Sequence, residues 1–323
     1  MDEECADSDS LTAIAATIDW ELAQIAQPPP AAPLTPAPRR QPPPSCLSDP
    51  RIARAVRLLE SIPAAPLGLD DVAAHVGLSA FHFQRYFLEV MGESPSAYLR
   101  RTRLDRAAMS LLMGSESVMQ IALDAGYASH EAFIRAFQRR FGRVPTQYRQ
   151  FAQARRPLPS PAQSEQAALV RVQTLKPRPL LSMRFHGSYA DREAHWRTFG
   201  HYLRQVGFPL QGAQAFGISL DGSLVTPTEL IRYDCAVLDP GFDAAGTALT
   251  TQILPVGRYA TLRCDGDYLS GIVNTLCSVA MAWLPASGER LPPVNHGSFE
   301  LFHQPPWEQE GGWQSFTVAL PLA

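Results

Sequence analysis

The chain has 323 residues, 46% of them hydrophobic, which is long for one domain and ample for two with cores of their own. A formal charge of −3 excludes a uniformly basic protein, and 29 prolines exclude a chain built throughout from regular elements. The charge is unevenly spread: residues 1–50 carry −6, residues 51–156 carry +6 and residues 157–323 carry −3. A basic block between two acidic ones points to nucleic-acid binding by the middle alone.

Five scattered cysteines, none in a CxxC or Cys/His cluster, indicate neither a zinc site nor a disulfide framework. No cofactor motif is visible. The N-terminus MDEECADSDS lacks a charged n-region and an apolar h-region, so a secretory signal is not expected. The most apolar stretch, 272–286, is interrupted by Asn274, Thr275 and Ser278 and reads as too short to span a bilayer. The expectation is a cytoplasmic bacterial protein, at the nucleoid when bound to DNA, with no membrane partner.

In chain order, residues 1–27 form an acidic arm, in which Leu11, Ile14, Ile18, Leu22 and Ile25 predict a short amphipathic helix over 10–26. Residues 28–49 are so proline-rich that they read as a disordered linker. Residues 50–154 then contain an internal repeat. SAFHFQRYFLEVMGESPSAYLR from Ser79 and SHEAFIRAFQRRFGRVPTQYR from Ser129 share Ser79/Ser129, Phe83/Phe133, Arg85/Arg135, Phe87/Phe137, Gly92/Gly142 and Pro95/Pro145.

Each copy has the same physical logic. A small buried residue, Ala73 or Ala122, lets two helices cross closely, and Gly77 or Gly126 ends the first helix in a left-handed turn. Ser79 or Ser129 caps the second helix, whose phenylalanines at i and i+4 face the core. This is a helix–turn–helix, with the second helix offered to the DNA major groove. Ser94-Pro95 opens a nineteen-residue helix over 95–113, about 28 Å long at ~1.5 Å per residue, a rod joining the two units.

Residues 50–150 resemble the DNA-binding domain of the AraC/XylS family of bacterial transcription regulators, most clearly in GYASHEAFIRAFQRRFGRVPTQYR. The resemblance implies that early positions of each second helix face base edges: Phe81, Gln84 and Arg85, then His130, Glu131 and Arg135. Ser79 and Ser129 are caps within reach of phosphate. Arg85 and Arg135 suit guanine, Gln84 suits adenine, Phe81 suits thymine methyls and Glu131 can accept from cytosine. The partner implied is double-stranded promoter DNA. For the acidic arm three readings stay open: contact with RNA polymerase, masking of the basic block, or a misplaced start codon.

Residues 155–167 read as a second linker, and 168–323 as an α+β domain. LLSMRFHGSY (180–189) aligns with YATLRCDGDY (259–268), each followed by a helix, near 191–205 and 268–284, and then by strands including 232–238, 298–303 and 315–320. A duplicated strand–helix–strand–strand unit buries its helices on one sheet face. With RYDCAV, PVGRYATLRCDGDY and FELF, this region resembles the GyrI-like effector-binding domain, although Ser188 and Asp267 stand where that family usually has proline. The resemblance implies an aromatic cleft with a carboxylate at its floor, lined by Tyr189, Trp196, Tyr233, Tyr268, Trp283, Glu300 and Phe302. Such a cleft suits a lipophilic or cationic small-molecule effector. The fold expected is therefore multidomain: an all-α double helix–turn–helix domain and a GyrI-like α+β domain. The leading function is transcription regulation, not enzymatic. A GyrI-like hydrolase using Glu300 and Tyr189, or a drug-sequestering module with an accessory DNA-binding domain, is the alternative.

Overall fold

The computed structural model describes residues 41–61, 68–292, 297–309 and 312–323. The helix predicted over 10–26 lies outside them. Asp49 starts α1 (Pro50–Ser61) by accepting from the backbone N–H of Arg51 and Ile52 at 3.0 and 2.9 Å. The first repeat is α2 (Leu69–His75) and α3 (Ala80–Met91); the second is α5 (Val118–Asp124) and α6 (His130–Phe141). Gly77 and Gly126 turn the chain at φ of 70° and 75°, a region closed to most side chains. Phe83 with Phe87 and Phe133 with Phe137 are fully buried, with ring centroids 5.6 and 5.5 Å apart.

Between the repeats runs α4 (Pro95–Met113), with the predicted bounds and with Ser94 accepting from Ala97 N–H at 3.3 Å. Its Tyr98 belongs to the core of the first repeat, whereas Leu104, Ala107, Ala108 and Leu111 belong to the core of the second. One rod is thus gripped at both ends. α7 (Pro145–Ala154) repeats the proline-first start of α4 behind the second unit, and α8 (Pro161–Ala167) follows.

The second domain is one eight-stranded antiparallel sheet in the order β1-β6-β8-β7-β3-β4-β2-β5. The strands are β1 (Arg171–Leu175), β2 (Arg178–His186), β3 (Ala215–Ser219), β4 (Arg232–Leu238), β5 (Thr250–Leu254), β6 (Gly257–Asp267), β7 (Ser298–Phe302) and β8 (Trp313–Leu322). The halves β2–α9–β3–β4 and β6–α10–β7–β8 repeat one topology and meet at β3 and β7. Helix α9 spans Arg192–Gln205. Helix α10 starts at Tyr268–Cys277 and continues through a π-helical stretch, Ser278–Trp283, into a last turn, Leu284–Ser287. Both helices pack on one sheet face, over Met183, Phe185, Tyr233, Cys235, Phe302 and Phe316.

The alternate residues of the same strands, Ser182 and Arg184 on β2 and Arg232 and Asp234 on β4, point to the other face, where α1 lies. The helical domain therefore covers the second face of the sheet.

Several segments differ from the sequence expectation. Residues 41–49, read as the end of a linker, pack between the domains: Leu47 is 1% exposed, and Ser45 and Leu47 exchange backbone hydrogen bonds with His186 and Arg184 at 2.9 Å each. Within 155–167, α8 is capped by Ser160 and docks on α10, where Gln166 accepts from Ser278 at 2.7 Å. The apolar helix Tyr268–Ser287 is longer than expected. At 20 residues it is long and apolar enough, by length and composition, to cross a membrane, yet it lies on the sheet with Tyr268, Ile272, Val279 and Leu284 buried. A Leu47→Ala substitution should cost about 2–5 kcal/mol, the usual range for a buried leucine. Urea unfolding checks this, since a loose linker would show no change.

Candidate DNA-reading helices and effector site

Helices α3 and α6 share their anchoring. Ser79 accepts from His82 N–H at 3.4 Å and Ser129 from Ala132 N–H at 3.2 Å. Burial of Phe83, Phe87 and Met91 turns Phe81, Gln84 and Arg85 outward, and burial of Phe133, Phe137 and Phe141 does the same for Glu131 and Arg135. Phe81 is 72% exposed and so open to a partner surface. His130 differs from the rest: it is half-buried, and its Nε2 is enclosed without a partner. Seven of the eight residues expected at DNA are thus solvent-facing, and His130 is the exception.

In the second domain the sheet brings six of the seven expected effector residues together. Glu300 on β7 lies opposite Gly217 on β3 and is 1% exposed. Its Oε2 accepts from the Tyr233 hydroxyl at 2.8 Å and from the Tyr268 hydroxyl. Its Oε1 lies 3.2 Å from Arg192 Nη1 and 3.3 Å from Ser219 Oγ. Trp196 packs 6.3 Å from Tyr233 and 5.0 Å from Phe302, ring to ring, and Tyr189 stands edge-on to Tyr233 at 6.5 Å. Trp283 is elsewhere: it packs against the cluster of Val279, Leu284 and Leu320 at the far end of α10, about four helical turns beyond Tyr268.

Three residues the sequence reading passed over complete this cluster. Arg192 opens α9 and is 1% exposed, its guanidinium 4.1 Å above the Tyr189 ring and 4.8 Å above Tyr233. Ser219 accepts from Arg192 Nη2 at 2.7 Å. Gly217 supplies room: a Cβ there would fall 2.0 Å from the Tyr233 hydroxyl and 2.8 Å from Glu300 Oε2. Burial first, and then the Glu300 charge, raise Tyr233 and Tyr268 well above the ordinary phenol range, so both stay protonated and donate. Burial, with Arg192 second, pushes His195 down to about 4, so the imidazole is neutral at pH 7.

Arg192 changes the expected chemistry. A lone carboxylate among aromatics would gain most from an incoming cation, but here the charge is already matched by a buried guanidinium. The preference for a cationic ligand loses its electrostatic basis; the aromatic character stays, but as a closed core and not the open cleft expected, since Trp196, Tyr233, Tyr268 and Phe302 are each at most 2% exposed. Among the described residues no cluster could hold a metal ion.

A second buried polar group joins the two domains. Glu60 at the end of α1 pairs with Arg184 at 2.9 Å and Arg232 at 2.6 Å and accepts from the Tyr98 hydroxyl of α4. Arg57 reaches Asp234 at 2.8 Å, Gln252 at 2.9 Å and Ser182 at 3.1 Å. Asp221 closes the group on Arg232 at 2.7 Å. Burial alone would raise Glu60, but Arg184 and Arg232 hold it well below the ordinary carboxylate range. A shift of α1 or α4 would thus be felt on β2 and β4.

Residues 72–150 match the family model of a helix-turn-helix domain, and residues 169–315 that of a GyrI-like small molecule binding domain. The right origin-binding protein of Escherichia coli K12 is 40% identical over 84 residues, covering 26% of this chain; the chain spans only 29% of that protein. The regulatory protein SoxS of the same strain is 39% identical over 84 residues, which are 26% of this chain and 78% of SoxS. A transcriptional regulator with an AraC-type DNA-binding domain from Chromobacterium violaceum, known as a crystal structure, is 36% identical, covers 32% of this chain and 94% of its own, and superposes with a TM-score of 0.30. With its paired helix–turn–helix units followed by a GyrI-like fold, the chain belongs to the AraC family of bacterial regulators.

Proposed function

We propose that this protein is a one-component, cytoplasmic transcription regulator that reads promoter DNA with α3 and α6 and takes a lipophilic small-molecule effector beside Glu300. The observation that carries the reading is α4, a single helix seated in both repeat cores, which fixes the two capped helices relative to each other. Their outward residues offer Phe81, Gln84, Arg85 and Arg135 for base contacts, with Ser79 and Ser129 near phosphate; Glu131 suits cytosine and His130 a supporting role. The buried Glu60 group gives the effector domain a path to the DNA-reading helices. The hydrolase alternative is less favoured, since both Glu300 oxygens are engaged by Arg192, Ser219, Tyr233 and Tyr268 and neither is free as a general acid. The acidic arm 1–27 suits contact with RNA polymerase at the promoter; its deletion would then spare DNA binding and reduce activation.

Footprinting with single substitutions tests the DNA reading. Arg85→Ala and Arg135→Ala should each weaken specific binding by about 1–3 kcal/mol and relax opposite halves of the protected site. Binding should fall steeply with salt, because arginine contacts to phosphate release counterions. Protection of one groove segment only, unchanged by loss of the second repeat, would overturn the two-helix reading.

A further inference from the structure

Between the helical domain and the sheet face opposite α9 and α10 lies a cleft of about 810 Å³, within the size range of small-molecule sites. It is separate from the Glu300 cluster, which lies under α9 and α10 on the other side of the sheet. Ile218, Leu220 and Phe299 give the cleft an apolar floor. Arg54 of α1 and Arg103 and Arg106 of α4 line its helical side.

The charges around the cleft do not balance locally. Arg57 and Arg232 also line it, but they are held by Asp234, Glu60 and Asp221. Glu60 is itself taken up by Arg184, Arg232 and Tyr98, and one oxygen of Asp124 accepts from Gln120 at 2.9 Å. Among the described residues, no carboxylate lies within ion-pair distance of Arg54, Arg103 or Arg106. Burial, then the neighbouring Arg232, lowers Arg106 from the ordinary arginine value, and the more distant Glu60 and Asp221 offset this only in part. Arg106 is half-buried and has no ion-pair partner, so an anion delivered to it gains a charge-assisted contact.

We propose that this interdomain cleft is a second ligand site, for an amphipathic monoanion: a carboxylate held by Arg106 with Arg103 and Arg54 at the rim, and an alkyl tail laid over Ile218, Leu220 and Phe299. A polyanion would leave the apolar floor exposed, and a neutral lipid would leave Arg106 unpaired, so the floor and the arginines together select the class. A ligand seated there touches both domains at once and tightens their contact. The proposal stands independently of the effector reading of the Glu300 cluster.

Calorimetric titration of the full chain with nonanoate, 1-nonanol and nonyltrimethylammonium tests it. Nonanoate should bind, and bind best of the three. Arg106→Gln should weaken it about tenfold or more, the loss of one charge-assisted contact. Because Arg106 lies near the buried ion pairs and its variant could disturb folding, Ile253→Glu is the companion. Ile253 lines the cleft but is 64% exposed, so an added carboxylate there should weaken nonanoate binding a few-fold, the scale of an exposed charge contact, while leaving the melting temperature unchanged. No binding of nonanoate, equal binding of 1-nonanol, or indifference of nonanoate binding to both substitutions would overturn the proposal.

Discussion

A Glu300→Gln substitution is expected to destabilise the protein by about 3–5 kcal/mol, the usual cost of removing one member of a buried ion pair. Glutamine keeps the size and can still accept from Tyr233 and Tyr268, so the loss comes from Arg192. That guanidinium is 1% exposed and would be left with Ser219 and two aromatic faces but no counter-charge. Urea unfolding measures the effect. Arg192→Met alone should also be costly, because Glu300 then lacks its cation. The double variant should recover much of the loss, since removing both charges removes both desolvation penalties. Additive losses in the double variant would show that the pair is not coupled. Ligand binding follows the same logic: with Arg192 present, lipophilic cations should hold little advantage over neutral molecules of the same shape.

Glu60→Gln is the second large effect, expected at about 3 kcal/mol, the low end of that range because Arg184 keeps Asp234 and Arg232 keeps Asp221, and it acts on the join between the domains. Here Arg184 and Arg232, 4% and 2% exposed, would lose a shared carboxylate. Limited proteolysis should then release the helical domain from the sheet domain faster than in the parent protein.

Acid should weaken the same join. Glu60, Asp221 and Asp234 all have folded values held below the unfolded ones: burial opposes this, but Arg184, Arg232 and Arg57 outweigh it. Groups lowered on folding contribute stability that is present above their unfolded values, about 4, and is lost as pH falls through the folded ones. Asp105 runs the other way, raised by burial, and offsets a part. His186 acts earlier. Burial, then Arg184, pushes it down to about 3, and its Nδ1 lies 2.9 Å from the Pro44 carbonyl. Its neutral form is favoured in the fold, so stability present above about 6.5 declines as pH drops below that value towards 3. Melting temperature should therefore fall between pH 7 and pH 5, and His186→Gln should flatten that decline. An unchanged slope in the variant would remove His186 from the account.

Much of the helical domain was legible in the sequence, because its determinants are local. Ser79, Ser94 and Ser129 cap the helices that follow them, and Gly77 and Gly126 take the left-handed turns their positions implied. The phenylalanine pairs repeat every fifty residues, and the bounds of α4 follow from Ser94-Pro95 and Gly114. The duplicated sheet domain was legible for a related reason: two long strands with the same Arg, Gly and Tyr spacing precede two helices. Strand β3 was not, since AFGIS is short and buried at every position, and a strand covered on both faces shows no alternation to read.

Tertiary structure alone decided the charges. Nothing in the sequence marks Arg192, Arg184, Arg232 and Glu60 as buried partners, because pairing across 50 to 172 positions leaves no local pattern. Residues 41–49 likewise carry the composition of a linker, and only the strand edge at Phe185 and His186 gives their backbone partners. Aromatic residues cluster at Glu300 because β3, β4 and β7 are neighbours in the sheet and far apart in the chain. Local chemistry therefore determined where helices begin and end. Long-range pairing determined which charges are buried, and with that the charge left open at the two proposed ligand sites.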